Sequence, residues 1–238
     1  MIGRDLANQL LSALFEPPCA ACRSVLARPL DGAVCEVCWA GLRGLPHATS
    51  IAIGVESIDA LASVGEYEGR LRDIVHALKY GGRRSIGPRL GALMREAGAA
   101  VLEGADAVVP VPLHSRREQS RGFNQAEDLA RAIGLPVLRM LRRVVSTVPQ
   151  VDLPAEARHQ NVRHAFALAP ALGSRFPASL SRLPVPASLP SPAGLVLVLV
   201  DDVITTGATL DACARMLKAA GARDVRALTA ARVSTGRR

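Results

Sequence analysis

Residues 195–217 read LVLVLVDDVITTGATLDACARML. Six consecutive apolar residues suit a strand buried on both faces, as at the centre of a parallel sheet. The run passes straight into Asp201-Asp202, then into a loop of small residues, Thr205-Thr206-Gly207-Ala208-Thr209. A helix is predicted over 209–220, with Gly221 at its C-terminal end. Ligands collect at the carboxyl ends of parallel strands. Here the loop offers hydroxyls and backbone N–H groups, and Gly207 lets the backbone come close to a ligand. The helix aims its N-terminus at the same spot, where unpaired N–H groups and the dipole favour a phosphate. The two carboxylates can accept hydrogen bonds from a vicinal diol, and can also face a Mg²⁺ ion held mainly by the ligand. An ordinary βα turn capped by Thr does not call for two aspartates and T-T-G-A-T in strict order behind an apolar run.

Outward from this unit, apolar and helical segments alternate. A strand or strand pair is predicted at 58–67, a helix at 69–78 with Leu71, Ile74, Val75 and Leu78 on one side, and a second helix at about 86–100. ADAVVPVPL, 105–113, is a short apolar run, and its prolines suit a strand end. A helix follows at about 124–133, closed by Gly134, then strands and a mobile loop within 136–166, and a last strand at 225–233. Such alternation argues for an α/β fold around a mainly parallel sheet. Residues 169–193 are rich in Pro, Ala and Ser and read as a flexible surface insertion. The expected organisation is a small unit at 1–45 and an α/β domain at 46–238.

Hydrophobic residues make up 49% of the 238, enough for a sizeable core, whereas aromatics at 3% give no evident base-stacking platform. The formal charge is +8, and all basic residues except Lys79 and Lys218 are Arg. Arginine-biased coding gives the same total, so position matters more. Residues 114–163 hold nine Arg against five acids, which points to an anionic ligand nearby. The run 195–200 is too short to span a bilayer. The first 15 residues have no convincing signal-peptide core and read as a short amphipathic helix, with Ile2, Leu6, Leu10 and Leu14 near one face. No membrane insertion and a cytoplasmic location are expected.

In that compartment paired cysteines serve as metal ligands more often than as disulfides. Cys19-x₂-Cys22, twelve residues, then Cys35-x₂-Cys38 is a two-knuckle pattern suited to tetrahedral, structural Zn²⁺. Two redox or structural Cys pairs are the alternative. A 45-residue unit builds little core alone, so a metal staple fits. Cys213, within a helix, reads as packed core.

The strand–Asp–Asp–loop–helix unit resembles the phosphoribosyl pyrophosphate (PRPP) signature of type I phosphoribosyltransferases. That resemblance implies that Asp201 and Asp202 bind the ribose hydroxyls, while Thr205, Thr206, Gly207, Ala208 and Thr209 cradle the 5′-phosphate. Hypoxanthine-type members carry an Asp where this chain has Thr205, which argues against purine salvage of that kind. VVPVPLHSRREQSRGFNQAEDLA at 108–130, VPQVDLPAEARHQNVRHAF at 148–166, LKY at 78–80 and LFEPPCAAC near the N-terminus are similar to the ComF family of competence-related proteins. The resemblance covers nearly the whole chain. It implies a type I phosphoribosyltransferase fold with a four-cysteine zinc module, a pyrophosphate site and a mobile flap, with Arg116, Arg117, Arg121, Arg158 and Asn161 taking part.

Three functions follow as expectations. The first is a PRPP-binding protein of the ComF type that handles single-stranded DNA together with other DNA-uptake proteins. The second is an active transferase, in which pyrophosphate leaves ribose C1′ and a nitrogen nucleophile enters. The third, a PRPP-sensing transcription regulator, has no recognition helix to support it.

Overall fold

In the computed structural model the described residues are 2–43, 45, 48–50, 55–113, 122–144, 165–169 and 191–233. The bulk of the proposed insertion, 170–190, falls outside them, as do 114–121 and 145–164.

The sequence folds in the order α1 (Ile2–Phe15), a 3₁₀ turn (Pro29–Asp31), α2 (Glu36–Arg43), β1 (Ala48–Ser50), β2 (Leu61–Glu66), α3 (Gly69–Tyr80), α4 (Ile86–Ala97), α5 (Ala99–Leu102), β3 (Ala107–Pro110), α6 (Gln125–Arg131), β4 (Leu141–Arg143), β5 (Phe166–Leu168), β6 (Val196–Ile204), α7 (Ala208–Ala219) and β7 (Asp224–Arg232). Five strands form one sheet in the order β1-β2-β7-β6-β3, and β4 with β5 forms a separate ribbon. β1 is antiparallel to β2; β2, β7, β6 and β3 are parallel. The α/β expectation therefore holds.

The central strands are apolar on both sides because both faces are covered. Val198 and Val200 of β6 belong to one buried cluster with Leu71, Ile74, Leu90, Met94 and Leu129. Their neighbours Leu197 and Leu199 belong to the other, with Leu210, Cys213, Leu217 and Phe166. Cys213 is thus packed core, as its spacing suggests. The buried hydroxyls of Ser63 and Thr229, opposite each other on β2 and β7, satisfy one another at 2.7 Å.

Three details differ from the sequence reading. β6 does not stop at Val200 but runs through Asp201-Asp202 to Ile204, paired with β7 as far as Arg232. Ladder hydrogen bonds use the backbone, so two charged side chains at a strand end do not interrupt them. The helix expected at 86–100 is two helices meeting at Gly98, where a side chain would collide with Leu228 of β7. The apolar stripe of α1 points outward: Leu6, Leu10 and Leu14 are more than half exposed, while Asn8 is buried. Polar contacts hold this helix instead. Asn8 Oδ1 accepts from the backbone N–H of Leu30 at 2.9 Å, and Arg4 and Asp5 pair with Asp31 and Arg28.

Candidate ligand site and metal centre

The position of the site follows from the topology. The helix after β3, α6, packs in the cluster on one face of the sheet; the helix after β6, α7, packs in the cluster on the other. β3 and β6 are neighbours, so their connections leave in opposite directions and a crevice opens between their carboxyl ends. Pro110 lies level with Val200, one residue before Asp201, and the N–H of Val111 donates to the Val200 carbonyl at 2.9 Å.

Asp201 and Asp202 stand at the lip of this crevice. Burial, followed by the charge of Asp202, pushes the Asp201 carboxyl up to about 7, against an ordinary value of 3.8. The Lys79 ammonium, the Asp202 backbone N–H and the Arg143 guanidinium pull the other way. That N–H donates to Asp201 Oδ1 at 2.8 Å. Lys79, on the last turn of α3, places Nζ 2.8 Å from Asp202 Oδ1. Burial acts to lower the lysine, but the carboxylates of Asp202 and Asp201 outweigh it and hold its pKa above the ordinary value.

The loop then turns through Gly207, which has φ +78° and is the N-cap of α7. That left-handed conformation suits glycine, and a Cβ there would also overlap Cγ2 of Val55. Thr205 is exposed, Thr206 and Thr209 are half-buried, and Ala208 is buried at the first turn of the helix. Thr206 Oγ1 accepts a long, 3.5 Å hydrogen bond from the Ala208 N–H. Asp211, one turn along, accepts from the Ser57 N–H at 3.0 Å and so ties the segment containing Val55 over the loop. Two carboxylates, a threonine-rich loop and a helix N-terminus can together receive a molecule carrying hydroxyls and a phosphate.

Asn124 and Gln125 stand at the entrance of α6. Asn124 is consumed by the fold: Oδ1 caps the Ala126 N–H at 3.1 Å and Nδ2 donates to the Val111 carbonyl at 3.0 Å. Gln125 is 1% exposed, and neither polar atom of its side chain has a hydrogen-bond partner among the described residues. Arg116, Arg117, Arg121, Arg158 and Asn161 lie outside the described residues. The β4–β5 ribbon brackets residues 145–164, and its Arg143 acts on Asp201. Lys79 and Val55 are site residues that spacing alone did not assign, although LKY was legible as a motif.

The four cysteines come together as the spacing requires. The Sγ atoms of Cys19, Cys22, Cys35 and Cys38 all lie within 4.8 Å of one another, a cluster that can hold a metal ion. One knuckle is a tight turn in which Arg23 takes φ +67° and the Cys19 N–H donates to the Ser24 carbonyl at 2.8 Å. The other opens α2. Cys19 Sγ accepts from the Cys35 N–H at 3.3 Å. Hydrogen bonding from the Ser24 side chain, then its backbone, lowers the Cys22 thiol to about 6, while burial pushes Cys38 up. Cys38, Trp39 and Leu42 belong to the same buried cluster as α3 and α4, so the N-terminal unit shares the core of the sheet domain.

Among the described residues no helix is long and apolar enough to cross a membrane. Residues 119–238 match the family model "Phosphoribosyl transferase domain". The chain is 33% identical over 232 residues to "DNA utilization protein YhgH" of Salmonella typhimurium, covering 87% of this chain and 93% of that protein. It is 27% identical over 235 residues to "Competence protein F" of Haemophilus influenzae, covering 89% and 95%. "Competence protein ComFC" of Streptococcus pneumoniae is 30% identical over 125 residues, covering 52% and 47%. With its mainly parallel sheet, the acidic pair at the end of β6 and the four-cysteine cluster, the chain belongs to the ComF family of competence and DNA-utilisation proteins, built on a phosphoribosyltransferase-type domain.

Proposed function

We propose that this chain binds PRPP in the crevice between β3 and β6 and acts in the uptake or utilisation of DNA. One observation carries the reading: Gly207, in a left-handed conformation, joins the Asp201–Asp202 strand end to the N-terminus of α7. Asp201 and Asp202 receive the ribose hydroxyls. Thr205, Thr206, Gly207, Ala208 and Thr209 receive the 5′-phosphate. Arg116, Arg117, Arg121, Arg158 and Asn161 serve the pyrophosphate. Mg²⁺ arrives with the ligand and supplies charge neutralisation on the pyrophosphate. The names of the relatives support a DNA-related role. In this reading single-stranded DNA and other DNA-uptake proteins are the partners and the cytoplasm is the location.

The four cysteines hold a structural Zn²⁺ in this reading; four thiols whose Sγ atoms all lie within 4.8 Å of one another suit that ion. Residues 1–45 then form the metal module and 46–238 the phosphoribosyltransferase domain.

A transferase on a nitrogen acceptor is the second reading, favoured by the paired carboxylates and the loop standing in one crevice. Mg²⁺-PRPP and a panel of bases distinguish the two. Binding without base-dependent pyrophosphate release supports the first, base-dependent release supports the second, and no binding overturns both.

A further inference from the structure

Two adjacent carboxylates at a strand end are ambiguous by chemistry. They can accept hydroxyl donors, or a carboxylate can bind a bare divalent cation directly. In this chain a third group enters. Lys79 reaches Asp202 at 2.8 Å, with the lysine side chain 18% exposed and the aspartate 12%. The helix beneath it is firmly placed, since Leu71, Ile74, Val75 and Leu78 are at most 1% exposed. Lys79 is one of only two lysines among 29 basic residues. A lysine carries its charge as a compact ammonium at the end of a flexible stem. The ammonium hydrogen bond takes one of about four lone-pair positions on the Asp202 carboxylate, leaving the others for hydroxyls. Its positive charge, in contrast, opposes a divalent cation at the same place.

We propose that Lys79 is the specificity-determining residue of this strand end: by cancelling one carboxylate charge it directs the acidic pair toward the hydroxyls of a phosphorylated pentose and away from direct coordination of a divalent cation. The inference rests on the reading of the crevice as a sugar-phosphate site.

The test uses the full chain, zinc-loaded at its four cysteines, with Mn²⁺ as the probe and no PRPP present. Free Mn²⁺ is followed by electron paramagnetic resonance for wild type, Lys79→Met, Lys79→Gln and Lys79→Arg. Removing the charge is expected to tighten Mn²⁺ binding by about tenfold or more in both the Met and the Gln variants. The Arg variant should stay with wild type, and Asp202→Asn in the Met background should abolish the gain. Gln keeps a donor for Asp202 but not the charge, so a merely positioning role would leave it at the wild-type value. Should Met fail to fold, Gln and Arg decide the question. Gln binding Mn²⁺ no tighter than wild type overturns the proposal. Titration of wild type with Mg²⁺-PRPP is read separately: absence of binding overturns the sugar-phosphate reading and the pentose half of the proposal, while the Mn²⁺ series still decides the cation half.

Discussion

A methyl group of Val55 fills the space that a side chain on Gly207 would need. The two residues are far apart in sequence, and the contact seals the loop between β6 and α7 from one side. Gly207 also has φ +78°, where a Cβ costs about 1–2 kcal/mol in its own right. Gly207→Ala should therefore lower unfolding free energy by at least that amount, measured by urea denaturation. Adding Val55→Ala should recover only the contact part. A Gly207→Ala protein as stable as wild type would show that the loop is built otherwise.

Asp201 gives the fold a pH dependence of defined sign. Its carboxyl titrates near 7 in the folded chain, from an ordinary 3.8. The folded state therefore binds the proton more tightly than the unfolded state. The contribution is neutral below pH 4 and becomes destabilising as pH rises to about 7, beyond which it is constant. Asp201→Asn should flatten this decline and stabilise the protein at pH 8 more than at pH 4.5. Thermal melting across that range checks it. An unchanged slope would contradict the assignment.

The four-cysteine cluster has a built-in reporter. Trp39, the single tryptophan, follows Cys38 directly, is 4% exposed and lies under the Arg89 guanidinium at 5.1 Å. Metal analysis should find about one Zn²⁺ per chain. Stripping it with a chelator should shift Trp39 emission to the red and lower the melting temperature, because that cluster is part of the core around α3. Cys22→Ser should reproduce both effects. A folded protein with four free thiols and unchanged emission would refute the metal role.

Gln125 is buried, and among the described residues neither amide atom has a partner. An unsatisfied buried amide costs about 1–3 kcal/mol. Gln125→Met keeps the volume and should raise the denaturation midpoint of the ligand-free protein. A lower midpoint would mean that the amide is satisfied.

Much of this architecture is legible in the sequence because it is local. The apolar run at 195–200, the small-residue loop and the helix after it are contiguous, and so are the CxxC knuckles. Pro110 marks the end of β3 because proline cannot continue a ladder. What escapes is whatever depends on distant segments meeting. Lys79 finds Asp202 only once α3 packs against the sheet, and Val55 meets Gly207 only because Ser57 is tied to Asp211. The extension of β6 beyond Val200 escapes for another reason: hydropathy reports burial, and ladder pairing with β7 continues where burial becomes partial. The outward face of α1 shows the converse, an apolar stripe whose period is right and whose partner is not the core.

The central claim is that the carboxylates at the end of β6 receive the ribose of PRPP. Calorimetric titration of wild type and the Asp201→Asn, Asp202→Asn double variant with Mg²⁺-PRPP tests it most directly. Asn keeps the size of Asp and removes the charge. Each charge-assisted hydrogen bond is worth about 1.5–3 kcal/mol in a favourable site, so affinity should fall about tenfold or more. The circular dichroism spectrum should be unchanged. Wild type and double variant binding PRPP with equal affinity would contradict the account.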